Sequence, residues 1–175
     1  MTGIIKVDTI QNNGGTTGLT IDSNGVVTRP VVPAWRATAI HDDRTASGDK
    51  AITWSTATDT SDNRRYRLGG VTLGGSNPVN HEFTVPVTGL YQLNVNARID
   101  ELNTGYIIMN IRVNGSTVSD GYSILGSPSS NFHTMNIADV YYMEANDKVA
   151  VHVNGVSDTS YEIDGNTTFS GVLVG

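Results

Sequence analysis

The stretch Phe83-Thr84-Val85-Pro86-Val87-Thr88-Gly89-Leu90-Tyr91-Gln92-Leu93-Asn94-Val95-Asn96-Ala97-Arg98-Ile99-Asp100 decides the fold. From Tyr91 onward the odd positions Tyr91, Leu93, Val95, Ala97 and Ile99 are apolar, and the even positions Gln92, Asn94, Asn96, Arg98 and Asp100 are polar. A period of two residues is the pleat of a β-strand with one face buried and one wet. Pro86 and Gly89 mark the turn into it. The same alternation recurs at Ile107, Met109, Ile111 and Val113 ahead of Asn114-Gly115, and at Val149, Val151 and Val153 ahead of Asn154-Gly155. Each Asn-Gly pair predicts a tight hairpin turn.

Working outward, 175 residues suit one domain plus an appendage. Nineteen glycines, few charges and no window of helical apolar spacing predict an all-β chain with many turns and little helix. No cysteine is present, which excludes disulfides and thiolate metal sites. The formal net charge of −6 and the lack of a basic stripe oppose nucleic-acid binding. No stretch approaches the roughly 20 apolar residues that span a bilayer, so no membrane insertion is expected. Met1 to Asp8 lacks the layout of a secretory signal.

Several ordered segments between residues 33 and 175 resemble the globular head of complement component one-q and the wider tumour-necrosis-factor-like jelly rolls. Phe83, Pro86, Gly89 and Tyr91 match that family's Phe-x-x-Pro-x-x-Gly-x-Tyr entry into a central strand. Pro33-Ala34-Trp35-Arg36-Ala37 matches its opening strand, and Thr168-Phe169-Ser170-Gly171-Val172-Leu173 its closing one. Ile107 to Gly115 and Met143 to Val149 occupy the places of two further elements. The resemblance implies a jelly-roll sandwich of roughly ten strands, assembled as a homotrimer. A complement-type head would carry a signal peptide or a collagen-like stem, and this chain shows neither, which points away from an animal setting. Where the family has a Gly-x-Tyr-Asp element, this chain has Arg64-Arg65-Tyr66-Arg67-Leu68-Gly69-Gly70, so that loop's geometry does not carry over.

Residues 1–32 read as a separate arm. It has a strand-like Ile4 to Ile10, a Gly/Asn/Thr-rich break, and Leu19-Thr20-Ile21 paired with Val26-Val27 around an Asn24-Gly25 turn. Lys6 to Gln11 and Leu19 to Gly25 resemble elements of tail-fibre and other virion proteins of bacteriophages, notably those of marine cyanobacteria. So few short strands cannot bury a core alone, so the arm is expected to dock through Ile5, Val7 and Ile10 onto another protein, onto its own jelly roll or onto copies of itself.

The candidate receptor site is Arg64, Arg65, Tyr66 and Arg67, a basic and aromatic cluster in an acidic chain, suited to the acidic groups and ring faces of a surface polysaccharide. A solvated loop paired with Asp59 or Asp62 accounts for the same residues. For the trimer seam the candidates are Tyr106 and Ile108 on one strand with Val172 and Val174 on another, since these make their strands apolar on both faces. Asp42-Asp43 and Asp59 to Asp62 are oxygen-rich and suit calcium in ligand type, without the spacing of a dedicated loop, and read as solvated turns. His41, His81, His133 and His152 show no metal-ligand spacing, so no cofactor is expected. Gly69-Gly70 and Gly74-Gly75 read as flexible loop. Serines without an elbow or a neighbouring base give no nucleophile. The expectation is a non-enzymatic trimeric fibre or surface appendage of a phage virion with a glycan-attaching head. The alternatives are a capsid decoration protein and, from another class, a glycan-processing enzyme with two convergent carboxylates.

Overall fold

A computed structural model of the chain describes residues 9–11, 17–28, 32–44, 48–56, 65–76, 78–100, 105–124, 132–156 and 160–175. Two compact units are present, Met1–Val32 and Pro33–Gly175. In the first, β1 (Thr9–Gln11), β2 (Thr17–Ile21) and β3 (Val27–Thr28) form an antiparallel three-stranded sheet. The expected hairpin is present: Gly25 takes φ 79°, and the Asp22 carboxylate accepts the backbone N–H groups of Asn24 and Val26 at 2.8 and 2.9 Å. Ile10 pairs Leu19, and Ile21 pairs Val27, so these four share one face. Ile10 and Val27 on it are about half exposed. Of the expected anchor, Ile5 and Val7 lie outside the described residues.

The second unit runs through β4 (Ala34–Thr38), β5 (Asp42–Arg44), β6 (Gly48–Ala51), β7 (Tyr66–Leu68), β8 (Thr72–Ser76), β9 (Val79–Thr84) and β10 (Gly89–Asp100). It continues through β11 (Tyr106–Val113), β12 (Ser116–Ile124), β13 (Phe132–Met143), β14 (Lys148–Val156), β15 (Tyr161–Ile163) and β16 (Thr168–Leu173). No helix occurs among the described residues. One antiparallel sheet has β10 flanked by β13 on one side and by β16, β4 and β7 on the other, with β15 and β5 continuing that side at its far end. The other runs β12, β11, β14, then β9 and β8, with β6 beside the far end of β14.

Roughly ten strands were expected and thirteen are present among the described residues of this unit. The difference arises because β10 and β14 are too long for a single partner along one edge, and each takes two short ones. At the changeover on β10, the Thr167 side chain stands in for a strand: its hydroxyl accepts the Arg98 N–H at 2.9 Å and donates to the Arg98 carbonyl at 3.1 Å. On β14 the corresponding gap at Val151 is filled by the Ile52 N–H, 2.8 Å from its carbonyl.

The inward residues of both sheets form one core. Trp35 of β4 stacks on Phe83 of β9 with centroids 5.3 Å apart, and Phe169 of β16 meets both edge-on. Trp54 completes the cluster against Phe83 and Phe169. All four rings are fully buried, a burial of about 4 to 6 kcal/mol each before the cost of ordering. The entry motif has a physical reading here. Phe83 supplies a core ring, and the Tyr91 hydroxyl donates to the Val87 carbonyl at 2.8 Å, pinning the turn between them. A Cβ on Gly89 would meet the Gly175 carbonyl and Leu173.

Three local expectations are corrected. Asn114-Gly115 is a turn with both φ values positive, but Asn154 and Gly155 lie inside β14, where Gly155 pairs Ile107 on one side and Gly48 on the other. Two flanking strands override a local turn preference. Tyr66 and Arg67 are not loop; they form β7 on the edge of β4. Gly74 and Gly75 likewise lie in β8, where the register against β9 shifts.

Two outcomes follow. A Cβ on Gly171 would fall on the six-membered ring of Trp35, so Gly171→Ala should cost about 1 to 3 kcal/mol in denaturant unfolding and change the tryptophan fluorescence of the native state. Thr167→Val keeps the volume and removes both hydroxyl bonds, so it should cost about 1 to 3 kcal/mol, while Thr167→Ser should retain most of the stability.

A banded sheet face with a polar recess

Directly opposed residues on neighbouring strands share a face, so register alone assigns the outward side of the sheet built on β10. Its rows fall into three bands. At one end, Leu90 pairs Tyr142, and the next row runs Leu68, Ala34, Val172, Gln92, Val140. Leu68, Leu90, Val140, Tyr142 and Val174 are each 43% to 56% exposed, which makes this end an apolar patch on an otherwise polar face. The middle rows run Tyr66, Arg36, Ser170, Asn94, Ala138 and then Thr38, Thr168, Asn96, Asn136. At the far end stand Arg98, then Asp100, Glu162 and Asp43 in line across β10, β15 and β5.

The middle band encloses a recess of about 390 Å³. It is lined by the small side chains of Ser170, Ala138 and Thr168 together with Arg36, Tyr66, Asn94, Asn96 and Asn136. Its described lining offers three amides that both donate and accept, two hydroxyls, one phenol and one guanidinium, and no carboxylate or imidazole among these residues.

The residues singled out from sequence divide around this recess. Arg64 lies outside the described residues. Tyr66 lines the recess, whereas Arg65 donates to the Ser55 hydroxyl at 3.1 Å and Arg67 to the Thr56 carbonyl at 3.3 Å. Those two arginines are therefore engaged with Ser55 and Thr56. The guanidinium lining the recess belongs to Arg36, which the sequence reading placed only within the opening strand Pro33 to Ala37. The seam candidates do not form one surface. Val172 and Val174 belong to the banded face, while Tyr106 and Ile108 lie on the outward side of the other sheet, opposite the buried Ile107 and Met109.

The far end gathers titratable groups. His41 bridges Glu162 at 2.8 Å and Asp43 at 3.2 Å, and Asp100, Glu162 and Asp164 converge beside it. These carboxylates already have partners in the chain: Asp100 accepts from Arg98 at 3.2 Å, and Asp164 accepts from the Asn166 backbone and amide. Asp42 and Asp43 belong to β5 rather than to a solvated turn, and Asp42 meets Lys50 at 3.5 Å. Asp59 to Asp62 lie outside the described residues.

A second polar network crosses the opposite sheet. Arg112 forks onto Asp49 with contacts of 2.8 and 2.9 Å and donates to the Asn110 side chain at 3.1 Å, and His152 meets the same Asp49 at 3.3 Å. These groups tie β6 to β14 and β11. Burial lowers the His152 pKa from its ordinary value, the Arg112 charge adds to this, and Asp49 opposes it. Compared with known proteins, the chain matches no family model and no curated sequence.

The His152 shift has a defined sign. The unfolded chain takes up a proton at about pH 6.5, and the folded imidazole does so only at lower pH. Its contribution is therefore undiminished above that value and is lost as pH falls through it. His152→Gln should lose less melting temperature than the parent between pH 7.5 and 5.5; equal losses would show that His152 is not a source of the slope.

Proposed function

We propose that the chain is a non-enzymatic virion protein of a bacteriophage, a trimeric jelly-roll head on an N-terminal β arm that attaches the particle to host-surface glycan. The observation that carries the glycan reading is the middle recess. Amides and hydroxyls fixed on strands, beside an aromatic ring, suit the vicinal hydroxyls and ring faces of sugars. A hydrolase would need two convergent carboxylates beside the bound sugar, and the described residues lining the recess include none.

The strand order supports the jelly-roll reading. From β9 to β16 the successive long strands cross between the sheets except at the β11–β12 hairpin, which leaves β4, β16, β10 and β13 adjacent in one and β9, β14, β11 and β12 adjacent in the other. The apolar band supports assembly. It runs from the β13 edge at Val140 and Tyr142 to the β7 edge at Leu68, so its two ends supply the non-identical patches that a closed threefold ring brings together. This reading places Val172 and Val174 in the seam and leaves Tyr106 and Ile108 out of it. The virion and fibre assignment rests on the arm's resemblance through Lys6 to Gln11 and Leu19 to Gly25.

Light scattering of the full chain should give a trimer. Val140→Asp with Tyr142→Asp should shift it to monomer with little change in the strand signal by circular dichroism. A monomeric parent would refute the assembly. Virions carrying the paired variant should adsorb less to host cells, since linked weak sites gain from avidity. Labelled protein at the tail would fit a fibre, and labelled protein across the capsid would assign a decoration role in its place.

A further inference from the structure

We propose that the middle recess is selective for an anionic sugar, whose carboxylate or sulfate group is held by the Arg36 guanidinium while the asparagine amides bond the neighbouring hydroxyls. This rests on the glycan reading above and names the class of glycan.

The charge pattern carries the inference. Among the described residues Arg36 is the only formally charged one lining the recess, and it is positive in a chain of net charge −6. The other arginines with placed side chains are used inside the protein: Arg65 and Arg67 bond Ser55 and Thr56, Arg98 pairs Asp100, and Arg112 pairs Asp49. The Arg36 side chain makes no hydrogen bond or ion pair with any described residue. Its strand neighbours explain this, since Tyr66 lies on one side and Ser170 on the other, and neither offers a carboxylate. The guanidinium fork is thus left to match an anion from outside, with a geometry that suits carboxylate and sulfate alike.

The surroundings decide what bears the anion. A polyphosphate would call for several cations, and one cation in an acidic protein gives no such field. From Tyr66 to Ala138 the row crosses five strands, about 19 Å at the usual strand spacing, which is the length of a short oligosaccharide. Along that line Asn94, and in the next row Asn96 and Asn136, present uncharged groups that donate and accept, as sugar hydroxyls require.

The test uses the full chain with four probes: tetragalacturonate, its methyl ester, a dextran sulfate oligomer and the parent dextran oligomer, measured by calorimetry or ligand-observed NMR. The acidic probes should bind about tenfold more tightly than their neutral partners, and the difference should shrink as salt rises. Arg36→Gln should abolish the difference, and Arg36→Lys, which keeps charge without the fork, should restore only part of it. The galacturonate and dextran pairs separately show whether carboxylate or sulfate is the preferred anion. Equal binding of acidic and neutral probes, unchanged in Arg36→Gln, would overturn this inference and leave the glycan reading standing. Binding of none of the four at millimolar concentration would overturn the glycan reading itself.

Discussion

The contact on which the rest of the second unit depends is the seating of the Trp35 ring over Gly171. β4 and β16 are neighbours in one sheet, and the indole lies across the glycine where any side chain would collide. This lets Trp35 reach Phe83 from the opposite sheet while Phe169, two residues before the glycine, closes the edge. The sheets are thereby joined by rings rather than by branched aliphatic side chains alone. Both buried indole N–H groups lack a partner among the described residues, a cost of about 1 to 3 kcal/mol each that the buried ring area must exceed.

Around that cluster, each sheet is organised by one long strand with a divided edge. β10 and β14 each lie against a continuous neighbour on one side and two short strands on the other. Where the short partners change, Thr167 bonds both backbone groups of Arg98, whose carbonyl also accepts the Asp164 N–H, and the Ile52 N–H bonds the Val151 carbonyl. The recess depends on this arrangement, because Asn94 and Asn96 are held between β13 and β16 just before the changeover.

Sequence reading recovered the elements whose information is local. The alternation from Tyr91 to Ile99 located β10, and Asn114-Gly115 gave the turn between β11 and β12, because no third strand competes there. Asn154-Gly155 carries the same local signal and is not a turn, since pairing with Ile107 and Gly48 holds it extended. The recess was legible only in pieces. Asn94 and Asn96 could be assigned to a wet face and Tyr66 could be noticed as an aromatic beside arginines. That Arg36, Ser170 and Asn136 join them follows from strand order, which the alternation of a single strand does not encode. The same holds for the seam residues, where apolar positions were visible and the side of the molecule they face was not.

The banded face carries a consequence for how such a surface can change over time. On β10 the odd positions hold the core and the even positions write the surface, so the two sets of side chains answer to different demands while sharing one backbone. Exchange at Asn94, Asn96, Asn136 or Ser170 alters the groups that line the recess and leaves the aromatic cluster untouched. Drift in the apolar rows leaves the recess chemistry intact. A chain built this way can follow a changing target by point substitutions on one side of a sheet, keeping the register that makes it fold.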